Sequence, residues 1–369
     1  MALHTFSSLS GAGPGHPDSQ DAAFVLYFFS PGLAQGGVHQ EIRAAYPDVP
    51  TVGCSMIGGW TTGAPVDTGY AGMVFSSKEV GSVIVARASG VKTDPDAAAR
   101  SLVDQVKRRA PAGGYSPESW VGVLLVDGLA LGERIVGAIT STSGLTVPIV
   151  GGAAADELTF DGTYVASGGE VDDDGAVLAL LEMRVPFHYD HYVHYVPTHR
   201  PLMVTRADPG KRVVWEIDGE PASDRYAKMI GLTPGEPIEA SVFGRNPFGV
   251  VLGDTVFARS PNAVVDGGGL QFYCSIEAGT RLELLKPGDI MGNAREAVAE
   301  ARRLAGPLQG AVLFNCVLRH LEMKETAGAH DEFAAQFEGL QVAGVNTYGE
   351  ELFTHHNQTL TALFIGASA

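Results

Sequence analysis

With 369 residues, 45% of them apolar, the chain can build a sizeable core, and its length suits two or three domains. A net charge of −17 and a pI near 5.0 oppose contact with nucleic acid or anionic lipid, and the apolar runs are too short to cross a bilayer. Three widely spaced cysteines, Cys54, Cys274 and Cys316, argue against a disulfide framework or a structural zinc site and fit a reducing compartment.

Residues 1–20 hold Gly, Pro, Ser and His without a basic region leading into an apolar run, so a flexible segment is expected rather than a signal peptide, and the cytoplasm is the expected location. A buried strand at 24–30 runs into Pro31 and Gly32, a helix at 39–46 stops before Pro47, and a second strand reaches a glycine turn at Gly53, Cys54 and Ser55. Strands at 71–76 and 82–86 follow. The next helix, 96–109, has Asp94 as its N-cap and Pro95 in its first turn, while Lys107, Arg108 and Arg109 complement the dipole at its far end.

The order then repeats: strand 120–126, helix 131–140, and a glycine turn at Gly151 and Gly152. Strands 163–167 and 176–181 are joined through Asp172, Asp173, Asp174 and Gly175, a solvated turn without the alternating ligands of a calcium loop. In the His- and Tyr-rich segment 187–195, a strand puts His188, Asp190, Tyr192 and His194 on one face and His191 on the other. One strand therefore cannot bring all three histidines to one metal. A domain-crossing strand is expected, and no metal site is assigned.

Strands at 202–206, 212–217, 250–257, 269–274 and 281–285 and helices at 223–230 and 290–304 lead to a third copy: strand 311–317, helix 331–337, glycine turn 344–350 and closing strand 359–365. A strand, helix, strand, glycine-turn unit recurring with a period near 97 residues between its first two copies implies duplication. The fold class read from this order is α/β, with α+β as the alternative: mixed sheets covered by helices, in two packed halves.

Most of the unusual polar residues fall at the end of the chain. Asn346, Thr347, Tyr348 and Glu350 surround the last glycine turn, and His355, His356 and Asn357 stand where the closing strand emerges. Arg319 can hold a carboxylate in a bidentate fork and Glu350 can accept an ammonium group, which together suit an amino acid; the alternative is that they pair with each other. Ser55, Asp156 and Glu157 occupy comparable turns earlier in the chain. Cys316, with Arg319 to lower its pKa and His356 as base, offers a nucleophile. Neither Cys54 nor Cys316 carries the local signature of a cysteine hydrolase, and Gly152 replaces Cys54 in the second copy, so binding is favoured over catalysis.

Phe28-Phe-Ser-Pro31, Val52-Gly-Cys-Ser55 and Gly151-Gly-Ala-Ala-Ala-Asp156 resemble the N-terminal half of the FIST family, named for F-box and intracellular signal transduction proteins. Phe314-Asn-Cys-Val-Leu-Arg319, Val342-Ala-Gly344, Asn346-Thr-Tyr-Gly-Glu350 and His356-Asn-Gln-Thr-Leu-Thr361 resemble its C-terminal half, and Val204-Thr-Arg206, Glu216-Ile-Asp-Gly-Glu-Pro-Ala222 and Tyr226 resemble the start of that half. The resemblance implies a flexible segment 1–20, an N-terminal FIST domain 21–186, and a linker strand with the C-terminal FIST domain at 187–369. It further implies an intracellular sensor of small ligands such as amino acids, and the residues expected to bind an amino acid or similar metabolite are Arg319, Asn346, Thr347, Tyr348, Glu350, His356 and Asn357. With no kinase, methyl-accepting or cyclic-nucleotide module recognisable, output is expected to pass to a separate signalling protein. The alternatives are a haem-binding gas sensor, through a histidine in 188–194 or through His355 or His356, and an enzyme using Cys316, His356 and Glu350; no cofactor is assigned. Where the family's first turn usually has Thr and a Gly-Glu pair, this chain has Met56, Gly58 and Gly59, which shifts the expected site to the C-terminal half.

Overall fold

Three apolar runs, Ala22–Phe29, Trp120–Val126 and Leu308–Cys316, are the central strands of three six-stranded sheets in a computed structural model that describes residues 3–8, 21–142 and 145–367. Their burial is nearly continuous, as expected for strands covered on both faces. Each pairs in parallel with the next strand of its own copy: Thr51–Ser55, Ile149–Ala153 and Gln341–Thr347 respectively. Parallel partners need a crossover, and the helices Val38–Ala45, Gly132–Thr142, and the pair Val317–Lys324 and Ala329–Ala335 supply it.

The three sheets share one order. An edge strand (His4–Ser8, Val80–Ser89 or Phe187–Val193) lies beside an antiparallel strand (Tyr70–Ser76, Gly175–Met183 or Thr359–Gly366), followed by the two parallel strands. The last two places are taken by a hairpin that comes from another copy. Gly59–Thr61 and Ala64–Val66 of the first copy extend the third sheet, Val165–Ser167 and Glu170–Asp172 of the second extend the first, and Gly349–Leu352 and Thr354–His356 of the third extend the second. The exchange closes on itself. Each copy thus covers a strand edge that another copy would otherwise expose.

The expected glycine turns are strands. Gly53, Gly151 and Gly344 occupy one equivalent register, opposite Tyr27, Leu124 and Leu313. A Cβ at Gly53 would lie 2.4 Å from the Tyr27 carbonyl oxygen and one at Gly151 would lie 1.9 Å from that of Leu124. These glycines permit close approach within a sheet, a role that a sequence shows no differently from a turn.

Two helices, Val317–Lys324 and Ala240–Arg245, were not expected, and the helix predicted at 331–337 runs instead from Ala329 to Ala335. The strand expected to reach Val317 ends at Cys316, which caps the new helix. Within the segment expected to be flexible, His4–Ser8 pairs with Tyr70–Ser76; residues 9–20 lie outside the described residues.

By contact, the chain divides differently from the two sequence halves. One unit comprises residues 1–192, 294–355 and 360–369, because the third copy shares its sheets with the other two; the second comprises 193–293 and 356–359. The second unit contains the antiparallel sheet whose eight strands run from Val196–Asp208 to Arg281–Lys286, with the helix Ala222–Ile230 and a core of Leu202, Val204, Tyr226, Phe248, Phe272 and Leu282. The strand expected at 187–195 is found as Phe187–Val193 at the edge of the third sheet, and the strand expected at 202–206 is longer, running over Val196–Asp208 in the second unit's sheet. Among the described residues, no helix is long and apolar enough to cross a membrane.

Candidate functional site

The parallel pair of the third copy ends in buried side-chain amides. Asn315 faces Asn346 across the ladder, at the register where the first copy has Phe29 opposite Ser55 and the second has Val126 opposite Ala153. Asn315 Nδ2 donates to Asn346 Oδ1 at 2.9 Å, and Arg319 Nε donates to Asn315 Oδ1 at 2.9 Å. The helix that begins directly after Cys316 brings Arg319 back over the strand end. Its side chain is 0% exposed, and a guanidinium so buried must be held by hydrogen-bond acceptors to offset lost hydration.

Asn346 ties the pair to its surroundings, donating through Nδ2 to the Ile57 carbonyl at 3.0 Å and to His320 Nδ1 at 3.1 Å. His330 Nε2 also points to His320 Nδ1, at 2.9 Å. His320 Nδ1 therefore acts as an acceptor and its imidazole is neutral. Burial, followed by the charges of Lys324 and His330, pushes its pKa down to about 3. The Trp60 ring stacks on His330, with centroids 6.3 Å apart, and closes this side of the cluster.

On the other side, Thr347 Oγ1 donates to Glu350 Oε1 at 2.9 Å and lies 3.3 Å from the Asn315 carbonyl oxygen. Glu350 is 0% exposed. Next to it, buried Glu351 meets His355 Nδ1 at 2.8 Å. Gly349 makes room for that ring, since a Cβ there would lie 2.1 Å from His355 Cε1.

Of the residues expected to contact ligand, Arg319, Asn346, Thr347 and Glu350 are thus joined in one buried network. Tyr348 turns to other partners: its hydroxyl donates to the Asp156 carboxylate and accepts from the Leu158 amide at 3.1 Å, while its ring stacks on Phe160 at 5.1 Å. Burial raises the Asp156 pKa, but Tyr348 and the amides of residues 160–162 outweigh it and hold the carboxyl below its ordinary range. His356 and Asn357, both buried, belong to the second unit, where His356 stacks on Phe257 at 5.7 Å. Cys316 is buried at the N-cap of the helix Val317–Lys324, and burial pushes the Cys54 thiol pKa up. Arg319 lies on the helix Val317–Lys324, three residues past the end of the strand Leu308–Cys316, and is fully buried.

Asn315, His320 and His330 carry much of the network and were given no role from the sequence. Asn315 left a signal as the polar residue inside the apolar run 311–317; the histidines left none, since their convergence depends on the pairing of Val317–Lys324 with Ala329–Ala335.

The FIST N domain model matches residues 23–220 and the FIST C domain model matches residues 222–352. The chain is also 41% identical over 86 residues to a protein of Methanocaldococcus jannaschii described as uncharacterized protein MJ1623. That match takes in 23% of this chain and 16% of the relative's own length. The two domain matches together span most of the chain, so the protein belongs to the FIST family, whose domains are associated with signal transduction and small-ligand sensing.

Proposed function

We propose that this protein is a cytoplasmic sensor that binds an amino acid or a similar metabolite carrying both a carboxylate and an ammonium group, and signals to a separate protein. The observation that supports this reading is the fully buried Arg319 and Glu350, connected through Asn315 and Thr347 at the end of the third strand pair. Burying two ionisable groups is costly, and such groups are often retained where charge complementarity has a use in recognition. A guanidinium and a carboxylate offer complementary partners to the two ends of an amino acid.

A thermal-shift screen of the full chain against amino acids and their derivatives tests the reading, because ligand at a hundred times its dissociation constant adds about 2.7 kcal/mol of stability. Calorimetry then compares wild type with Glu350→Gln, which preserves shape and removes charge. Affinity for the identified amino acid should fall about ten- to a hundredfold, corresponding to roughly 1.5–3 kcal/mol for a lost charged hydrogen bond. Unchanged affinity in a folded Glu350→Gln protein would refute the assignment of Glu350.

A further inference from the structure

The histidine-rich edge strand acquires a partner that its own sequence does not contain. On Phe187–Val193, His188 and Asp190 are two residues apart and so project to the same face. The helix Ile290–Ala305 brings Glu300 to that face, more than a hundred residues later in the chain. One ligand atom from each of the three lies within 4.8 Å of the others.

We propose that His188, Asp190 and Glu300 bind a divalent first-row transition-metal ion, with water completing its coordination. A separation of this size lets each ligand reach a shared ion at roughly 2.0–2.2 Å after a small adjustment. One imidazole nitrogen with two carboxylate oxygens suits zinc, manganese or iron better than calcium or magnesium, which favour oxygen-only shells. All three residues are partly exposed, leaving a path for the ion and for water.

The surrounding contacts fix the ligands in place. The His188 ring lies nearly parallel to Phe364, 16° apart with centroids at 6.4 Å, and its Nε2 is 3.2 Å from the Tyr192 hydroxyl. Asp190 Oδ1 accepts from the His191 amide at 2.7 Å and faces His191 Nδ1 at 3.1 Å, so these two contacts leave Oδ2 for the ion. Orientation of ligands by such neighbours is a recurring feature of metal sites. Arg303 approaches Glu300 Oε1 at 3.5 Å, a long and exposed contact that a dication can displace.

The test is calorimetric titration of the chelator-stripped full chain with Zn²⁺, and in parallel with Mg²⁺. One Zn²⁺ per chain is expected, with much weaker Mg²⁺ binding. His188→Ala and Glu300→Gln should each weaken Zn²⁺ binding at least tenfold, while His199→Ala, an exposed histidine elsewhere, leaves it unchanged. Circular dichroism of the metal-free variants confirms that they are folded; Glu300→Gln, at a partly exposed helix position, supplies the result if His188→Ala does not fold. The proposal is overturned by absence of stoichiometric Zn²⁺ binding to folded wild type, by equal Zn²⁺ affinity in wild type and folded Glu300→Gln, or by Mg²⁺ binding as tight as Zn²⁺.

Discussion

Where the first strand pair buries Phe29 opposite Ser55, the third buries Asn315 opposite Asn346, on the same ladder register. In the first pair, Ser55 Oγ accepts from the Tyr164 amide at 3.0 Å and Phe29 packs edge-on against His39, with centroids 4.6 Å apart. His39, on the crossover helix, meets the Tyr27 hydroxyl at 2.9 Å. The third pair also meets a crossover-helix histidine, His320, but does so through a chain of side chains that includes Asn346, Asn315 and Arg319. One scaffold therefore supports two solutions. A polar group satisfied by backbone is fixed by the fold itself, whereas one satisfied by other side chains depends on every member of the network and can exchange partners with a ligand.

The largest effect should come from the shared glycine register. A Cβ at Gly151 meets a backbone oxygen, which cannot move without distorting the sheet, whereas at Gly344 it would lie 3.0 Å from a Trp60 ring carbon. Gly151→Ala should therefore cost more than about 3 kcal/mol, and Gly344→Ala about 1–2 kcal/mol, in urea denaturation. The opposite order would contradict the backbone clash at Gly151 as the dominant cost.

Converting the third pair into the second sharpens the comparison further. Asn346→Ala leaves buried partners unmatched and should cost about 2–3 kcal/mol. Adding Asn315→Val reproduces the Val126 and Ala153 pair, and the double variant should be at least about 1 kcal/mol more stable than the sum of the single effects. Strict additivity would mean that the two amides act independently.

The smallest expected effect appears on mild acidification. His320 takes up a proton below its ordinary value of 6.5 when unfolded, yet when folded stays neutral down to about 3. Its contribution is intact above pH 6.5 and is lost as pH falls towards 3, at up to about 1.4 kcal/mol per pH unit. Between pH 6.5 and 5.5 the wild type should thus lose about 1 kcal/mol more than His320→Gln. Parallel stability profiles for the two proteins would contradict a neutral His320.

The sequence by itself determined the apolar central strands, most of the helices, the order of the three copies and the family. These features are local: continuous apolar runs, helix starts such as Asp94 with Pro95, and recurring glycines can be read within short windows. It also pointed to Arg319, Asn346, Thr347 and Glu350, because polar residues clustered near the last glycine. It misread Gly53, Gly151 and Gly344 as turns because conformational freedom and the lack of a Cβ leave the same letter in the chain. Tertiary structure decided which of these properties mattered: the carbonyl oxygens of Tyr27 and Leu124 lie where a Cβ would be. It alone decided the cyclic exchange of hairpins, since an antiparallel edge can pair with any strand of suitable register. It likewise brought His330 to His320 and Glu300 to His188, convergences set by helix packing on the sheets rather than by spacing along the chain.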